Sequence, residues 1–260
     1  MSQTENKTEF SMTEMGEETA ERNRSNTNKK LYIFEQYVQP CLAELVGTSL
    51  FVFVGCASVI GNNEVPGVLQ PAVAHGLALG VMIMIFGQIS GGHFNPAVSL
   101  CAYLCGGMEL RLLLPYVLAQ MLGGMAGAGL ARAVCPPAVY DLASGAAFKI
   151  ENNDLALATL AELIMTTFLT MVVCMGAING KTSSPMAPIC IGLTVTANIF
   201  AGGVLSGACM NPVRAFGPAV VAGYWIHHWV FWVGPACGAL VSVTLVRFFF
   251  GDQKTRIILK

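Results

Sequence analysis

Charge is what this chain has least of. Only 11% of its 260 residues are Asp, Glu, Lys or Arg, and the formal net charge is −1. That is too little ionised surface for a water-soluble globule of this size, and without a basic excess no nucleic-acid partner is expected. Ligand spacings are lacking too. Four histidines and nine cysteines form no CxxC or Cys/His pattern, so neither a metal nor a cofactor is expected, and the cysteines read as small apolar packing residues. The first thirty residues hold no apolar run and read as a disordered tail rather than a cleaved signal peptide.

What is abundant is apolar: 54% of the residues, gathered into six stretches at 41–60, 70–87, 111–134, 155–178, 186–203 and 228–250. Each approaches the roughly twenty residues that cross about 30 Å of hydrocarbon, so the chain reads as an all-α membrane protein with six transmembrane helices. Two further apolar segments, 96–106 and 212–222, are too short to span. At membrane depth such segments are tolerated only inside protein or beside a watery cavity, and they read as re-entrant half-helices.

The halves repeat. ISGGHFNPA at 89–97 aligns without a gap with LSGACMNPV at 205–213; Asn95 and Asn211 stand 116 residues apart, as do Gly76 and Gly192, while Glu44 and Glu162 stand 118 apart. Three spans per copy is an odd number, so the second copy enters from the opposite face, giving an inverted repeat whose half-helices meet near the midplane. The expected organisation is a tail at 1–36, a channel domain at 37–250 with halves near 37–135 and 155–250, and a second tail at 251–260. Basic residues cluster before the first span, at Lys181 and after the last span, which places both termini in the cytoplasm.

Each half-helix opens on Asn-Pro. Proline suits the first helical position and asparagine the N-cap, so capping by Asn95 and Asn211 would leave two amide groups unpartnered and facing a shared cavity. Both half-helix dipoles point their positive ends there, opposing cations. Glu44 and Glu162 are costly inside spans. They read as acceptors for loop N–H groups, with a proton relay as the alternative. Gly123 with Gly127, and Gly234 with Gly238, would let the third and sixth spans pack closely. Trp225, Trp229 and Trp232, with His227 and His228, read as an interfacial anchor.

The paired Asn-Pro motifs, the AEL at 43–45 and 161–163, SG before each motif and Arg214 after the second resemble the aquaporin (major intrinsic protein) family over nearly all of the chain beyond the tails. That resemblance implies an aquaporin-like bundle and passive passage of water and small neutral solutes across a lipid bilayer, with no enzymatic step. It also implies a homotetramer.

By the same resemblance the pore-centre residues are Asn95, Pro96, Ala97, Asn211, Pro212 and Val213, the last replacing the usual Ala. The selectivity filter is His75, Ile199, Ala208 and Arg214, a set similar to that of the family's ammonia-permeable branch, which adds ammonia and hydrogen peroxide to the expected solutes. Pore-lining carbonyls are expected from Gly91, Gly92, His93, Phe94, Gly207, Cys209 and Met210, and Cys209 is the candidate mercurial site. Ala215, where glycerol channels carry Asp, argues against the alternative of a glycerol or urea facilitator. A proton-coupled secondary transporter, motivated by the two glutamates, is the other alternative. The membrane of residence is left open between plasma and intracellular membranes, mitochondrial ones included.

Overall fold

The computed structural model describes residues 28–62, 67–150 and 154–258, and all regular elements among the described residues are helical. We label the principal helices α1 (Gln39–Gly61), α2 (Leu69–Ser90), α3 (Pro96–Leu104), α4 (Leu110–Val134), α5 (Leu155–Val173), α6 (Ala187–Ser206), α7 (Pro212–Ala222) and α8 (Val230–Leu245). Among the described residues, six helices are long and apolar enough to cross a membrane. The other two, α3 and α7, have 9 and 11 residues. At about 1.5 Å per residue they reach only about halfway through a bilayer.

The spans carry no polar face. Leu77, Met84, Leu114, Leu157, Ile164 and Leu193 all point outward and are more than half exposed, as lipid-facing side chains would be. Polar residues turn inward instead: Glu44, Thr48, Gln120, Glu162, Thr166 and Ser242 are fully buried.

Close helix crossings follow the repeat. α2 and α6 touch where Gly76 meets Gly192: a Cβ on either would come within 2.5 Å of the other's carbonyl oxygen. The glycine pairs of the third and sixth spans pack against the first and fourth spans respectively. A Cβ on Gly123 would lie 2.4 Å from the Leu45 carbonyl oxygen, and one on Gly238 would lie 2.4 Å from that of Leu163.

The described part of the N-terminal segment is helical. Residues 28–33 are helical and Phe34–Val38 form a π turn, whereas the tail was expected to run to residue 36. Leu31 to Phe34 are four consecutive apolar residues, able to sit in an apolar medium where no water competes for helical N–H and C=O groups. The rest of that tail, 1–27, lies outside the described residues. At the other end, the segment after α8 folds back. Asp252 Oδ1 accepts hydrogen bonds from the Thr255 N–H and hydroxyl (both 2.9 Å), Oδ2 accepts from the Gly180 N–H (2.9 Å), and the Asp252 N–H donates to Asn179 Oδ1 at 2.7 Å. The Thr255 bonds foremost hold the Asp252 carboxyl below its ordinary pKa.

Candidate functional site: two re-entrant loops and an arginine between two cavities

Both loops leading into α3 and α7 follow one backbone path. Gly91 and Gly207 end α2 and α6 in the left-handed region at φ 87° each, Gly92 and Ala208 follow at 64° and 49°, and Phe94 and Met210 sit at 48° and 55°. Glycine takes such angles freely; the non-glycine positions carry strain that the surrounding bonds must hold. This path turns successive N–H groups toward a buried carboxylate.

In the first loop Glu44 Oε1 accepts from Ser90 Oγ (2.7 Å) and the His93 N–H (2.9 Å), and Oε2 accepts from the Phe94 N–H (2.6 Å) and Gln120 Nε2 (2.8 Å). In the second, Glu162 Oε1 accepts from Ser206 Oγ and the Cys209 N–H, both at 2.7 Å, and Oε2 from the Met210 N–H at 2.6 Å. Every carboxylate oxygen is occupied by a donor.

Each asparagine caps its own helix. Asn95 Oδ1 accepts from the Ala97 N–H at 2.9 Å, and Asn211 Oδ1 from the N–H groups of Val213 and Arg214 at 3.1 and 3.4 Å. The amide nitrogens behave differently from the expectation. Asn95 Nδ2 donates to the Met210 carbonyl and Asn211 Nδ2 donates to the Phe94 carbonyl, both at 2.9 Å. An amide has two hydrogens, so one from each clasps the opposite loop and one is left over. Buried carbonyls freed by the left-handed turns need a donor, and the opposing asparagine is the one within reach.

Two cavities flank this junction. The larger, about 670 Å³, is lined by Gly91, Gly92, His93, Asn95, Asn211, Cys209 and Met210, with apolar side chains such as Phe51, Ile83 and Ile191 opposite. The smaller, about 420 Å³, is lined by His75, Ile199, Gly207, Phe148 and Pro218 among others. Arg214 lines both. Its Nη1 donates to the carbonyls of Ala208 and Cys209, the latter at 2.9 Å, and its guanidinium lies 4.8 Å from the centre of the Phe148 ring. Arg214 is 5% exposed and its Nε has no hydrogen-bond partner. His75 fits beside it because residue 55 is glycine: a Cβ there would lie 2.4 Å from His75 Nε2. The other ring nitrogen, Nδ1, is 2.7 Å from the Pro71 carbonyl oxygen.

Three further anticipated site residues are held by close contacts. Phe94 lines neither cavity; it is fully buried, its ring fills the space left by the missing side chain of Gly47, and its carbonyl is taken by Asn211. Ala208 is also fully buried, its carbonyl turned to Arg214, and its neighbour Gly207 meets the smaller cavity instead. Cys209 borders the larger cavity, yet its Sγ is 3.0 Å from the Asn211 carbonyl oxygen and the residue is 1% exposed. Val213 packs over Gly124, where a Cβ would meet the Val213 carbonyl oxygen at 2.9 Å; the absent side chain gives the larger residue its room. His228 lies in an aromatic cluster, 4.9 Å from Trp225, while Trp225 and Trp229 stay exposed.

Reasoning from sequence missed Phe148, Gln120 and Asn198. Gln120 bonds both Glu44 and Ser99, and Asn198 Nδ2 donates to the Met165 carbonyl and Met210 Sδ. Both are amides inside apolar spans, the signal that exposed the glutamates. Phe148 stands in the connection between the halves, outside any repeat.

Half-helices that enter a six-span inverted repeat from opposite faces, clasped at the centre beside a cavity on each side, define a membrane channel. The chain belongs to the major intrinsic protein family, whose profile matches residues 33–246. It is 54% identical over 242 residues to aquaporin-8 of Rattus norvegicus, covering 92% of each chain, and 38% identical over 224 residues to aquaporin TIP1-2 of Zea mays, covering 82% of this chain and 86% of the relative. Its fold is also that of the aquaglyceroporin from Plasmodium falciparum, with a TM-score of 0.71 and 22% identity over 80% of this chain and 95% of that one. It is an integral membrane channel for water or small solutes, from a family of channels rather than enzymes.

Proposed function

We propose that the channel conducts water, ammonia and hydrogen peroxide and excludes ions and protons, with His75, Ile199, Ala208 and Arg214 as its filter, Ala208 contributing the backbone carbonyl that holds Arg214. The observation that carries this reading is Arg214: a buried guanidinium lines both cavities where His75 and Ile199 line the smaller one. A cation meets that charge and the positive ends of α3 and α7. Water can replace lost hydrogen bonds with the carbonyls of the loops and the remaining amide hydrogens of Asn95 and Asn211. His75 opposite an aliphatic Ile199 leaves a wider and more polar opening than an aromatic would, which favours ammonia and peroxide.

Reconstitution into vesicles tests the reading. Osmotic shrinkage and internal alkalinisation faster than in empty vesicles are expected, and fluxes equal to those of empty vesicles would overturn it. His75→Phe should lower ammonia flux several-fold more than water flux; equal losses would remove His75 from the filter.

A glycerol or urea facilitator is favoured by the missing aromatic at His75 and opposed by Ala215; glycerol uptake as fast as water would establish it. The proton-relay alternative is opposed by the loop donors that engage both glutamates; flux that responds to an imposed proton gradient would favour it. The reading extends to domain limits of 37–250 for the channel, to cytoplasmic termini by the distribution of basic residues, to a plasma or intracellular membrane and to a homotetramer with one pore per subunit.

A further inference from the structure

Three thiols that play no part in conduction gather behind the wall of the larger cavity. Cys101 and Cys105 stand one turn apart at the C-terminal end of α3, and Cys174 is the first residue of the π turn Cys174–Ile178 that ends α5. Their sulfurs all lie within 4.8 Å of one another: Cys174 Sγ is 3.1 Å from Cys101 Sγ and 3.7 Å from Cys105 Sγ. All three are buried, with Ala97, Ala239 and Val246 in the same apolar cluster.

We propose that this trio is an oxidation site, at which a peroxide joins Cys101 to Cys174 in a disulfide and leaves Cys105 reduced. Three sulfurs so close also suit a soft metal ion. Charge decides between the two. A monovalent ion held by three thiolates leaves two negative charges in apolar surroundings, whereas a disulfide is neutral. Oxidation needs an oxidant small and uncharged enough to arrive, and the wall is thin here: Val98, Gly107, Val173 and Gly176, from the same segments as the thiols, line the larger cavity. Any neutral peroxide that enters that cavity qualifies, so the inference does not rest on the proposed solute range.

The chemistry balances in two steps. One oxygen of hydrogen peroxide is transferred to the Cys174 sulfur, giving a sulfenic acid, and the other leaves as water. The Cys101 sulfur then attacks the sulfenic sulfur, the S–O bond breaks, and a second water carries off the hydroxyl and the thiol proton. Two thiols lose two electrons and one peroxide is reduced to two waters. The bond fastens α3, whose other end bears Asn95, to the end of α5.

The test uses the full-length channel in lipid vesicles, washed with chelator and treated with low micromolar to millimolar hydrogen peroxide. Unreacted thiols are alkylated after denaturation, and the peptides are mapped by mass spectrometry. We expect the alkylated thiols to fall from nine to seven per chain, a crosslinked Cys101–Cys174 peptide, and full recovery of both thiols with dithiothreitol. Cys105→Ser should leave the crosslink intact, while Cys101→Ser and Cys174→Ser should abolish it. The untreated and oxidised parent protein alone is informative should a variant not fold. Nine free thiols after peroxide, a different pair crosslinked, or one equivalent of metal retained by the purified protein would each overturn the proposal.

Discussion

The two halves of this channel share a backbone and divide the polarity between them. Carrying His75, Ile199, Ala208 and Arg214 across the 116-residue repeat leads to Ile191, Ile83, Gly92 and Val98. All four of those counterparts line the larger cavity, and none of them is charged. Equivalent positions therefore place the polar His75 and Arg214 at the smaller cavity and only apolar counterparts at the larger one. Duplication has kept the loop path, the glutamate beneath it and the asparagine cap, since each answers a backbone requirement present on both sides. Among the described residues a buried cation, Arg214, is found only in the second half, where it donates to the Ala208 and Cys209 carbonyls.

Supports differ as well. The first loop draws on α4, where Gln120 bonds Glu44 and the Tyr116 hydroxyl donates to the Ser90 carbonyl at 2.8 Å. The second loop is held from its own half-helix, by Arg214 on two carbonyls. Removing the carboxylates should have the largest effect. Glu162→Ala frees three donors and should cost about 4 kcal/mol of stability. Glu44→Ala frees four and should cost more. Thermal denaturation in detergent orders them, and equal losses would break the asymmetry.

Arg214→Val makes the second half copy the first. It should cost about 3 kcal/mol, by leaving the Ala208 and Cys209 carbonyls without a charged donor, and should raise proton conductance in vesicles above that of the parent. Unchanged conductance would remove Arg214 from ion exclusion. Gln120→Leu acts on the first half alone and should cost about 2 kcal/mol with water flux intact; a comparable loss of flux would place Gln120 in the pore.

The smallest effect belongs to the C-terminal segment, where Asp252 bonds the connection after α5. The folded Asp252 pKa is depressed, so its contribution is present above the unfolded carboxylate value and is lost as pH falls through the folded one. Amide exchange at Gly180 and Thr255 should be unchanged near neutrality and accelerate only below the ordinary Asp value of 3.8. Acceleration at neutral pH would count against the latch. Asp252→Asn should accelerate it at every pH.

How much could be read beforehand follows from the same contrast. Spans, half-helices and the repeat were legible because apolar length, Asn-Pro pairs and glutamates in apolar stretches each break the local composition. The destination of the asparagine amides was not, because the carbonyls of Phe94 and Met210 belong to opposite copies, and nothing local marks a backbone acceptor. Phe148 was hidden for a different reason: its role comes from a guanidinium that reaches it through the fold alone. The trio of thiols is similar. Cys101 and Cys105 are one helical turn apart, but Cys174 joins them only when α5 packs against α3.

The crossed asparagine bonds also bear on how the chain is made. Asn95 finds its acceptor 115 residues further on, and Phe94 waits for a donor 117 residues further on. When the first half leaves the ribosome its loop already has Glu44 and Gln120, yet two of its polar groups must stay wet or unpaired until the second half is inserted. The first copy is thus an assembly intermediate by construction, its loop completed only when the second loop and its half-helix arrive alongside it.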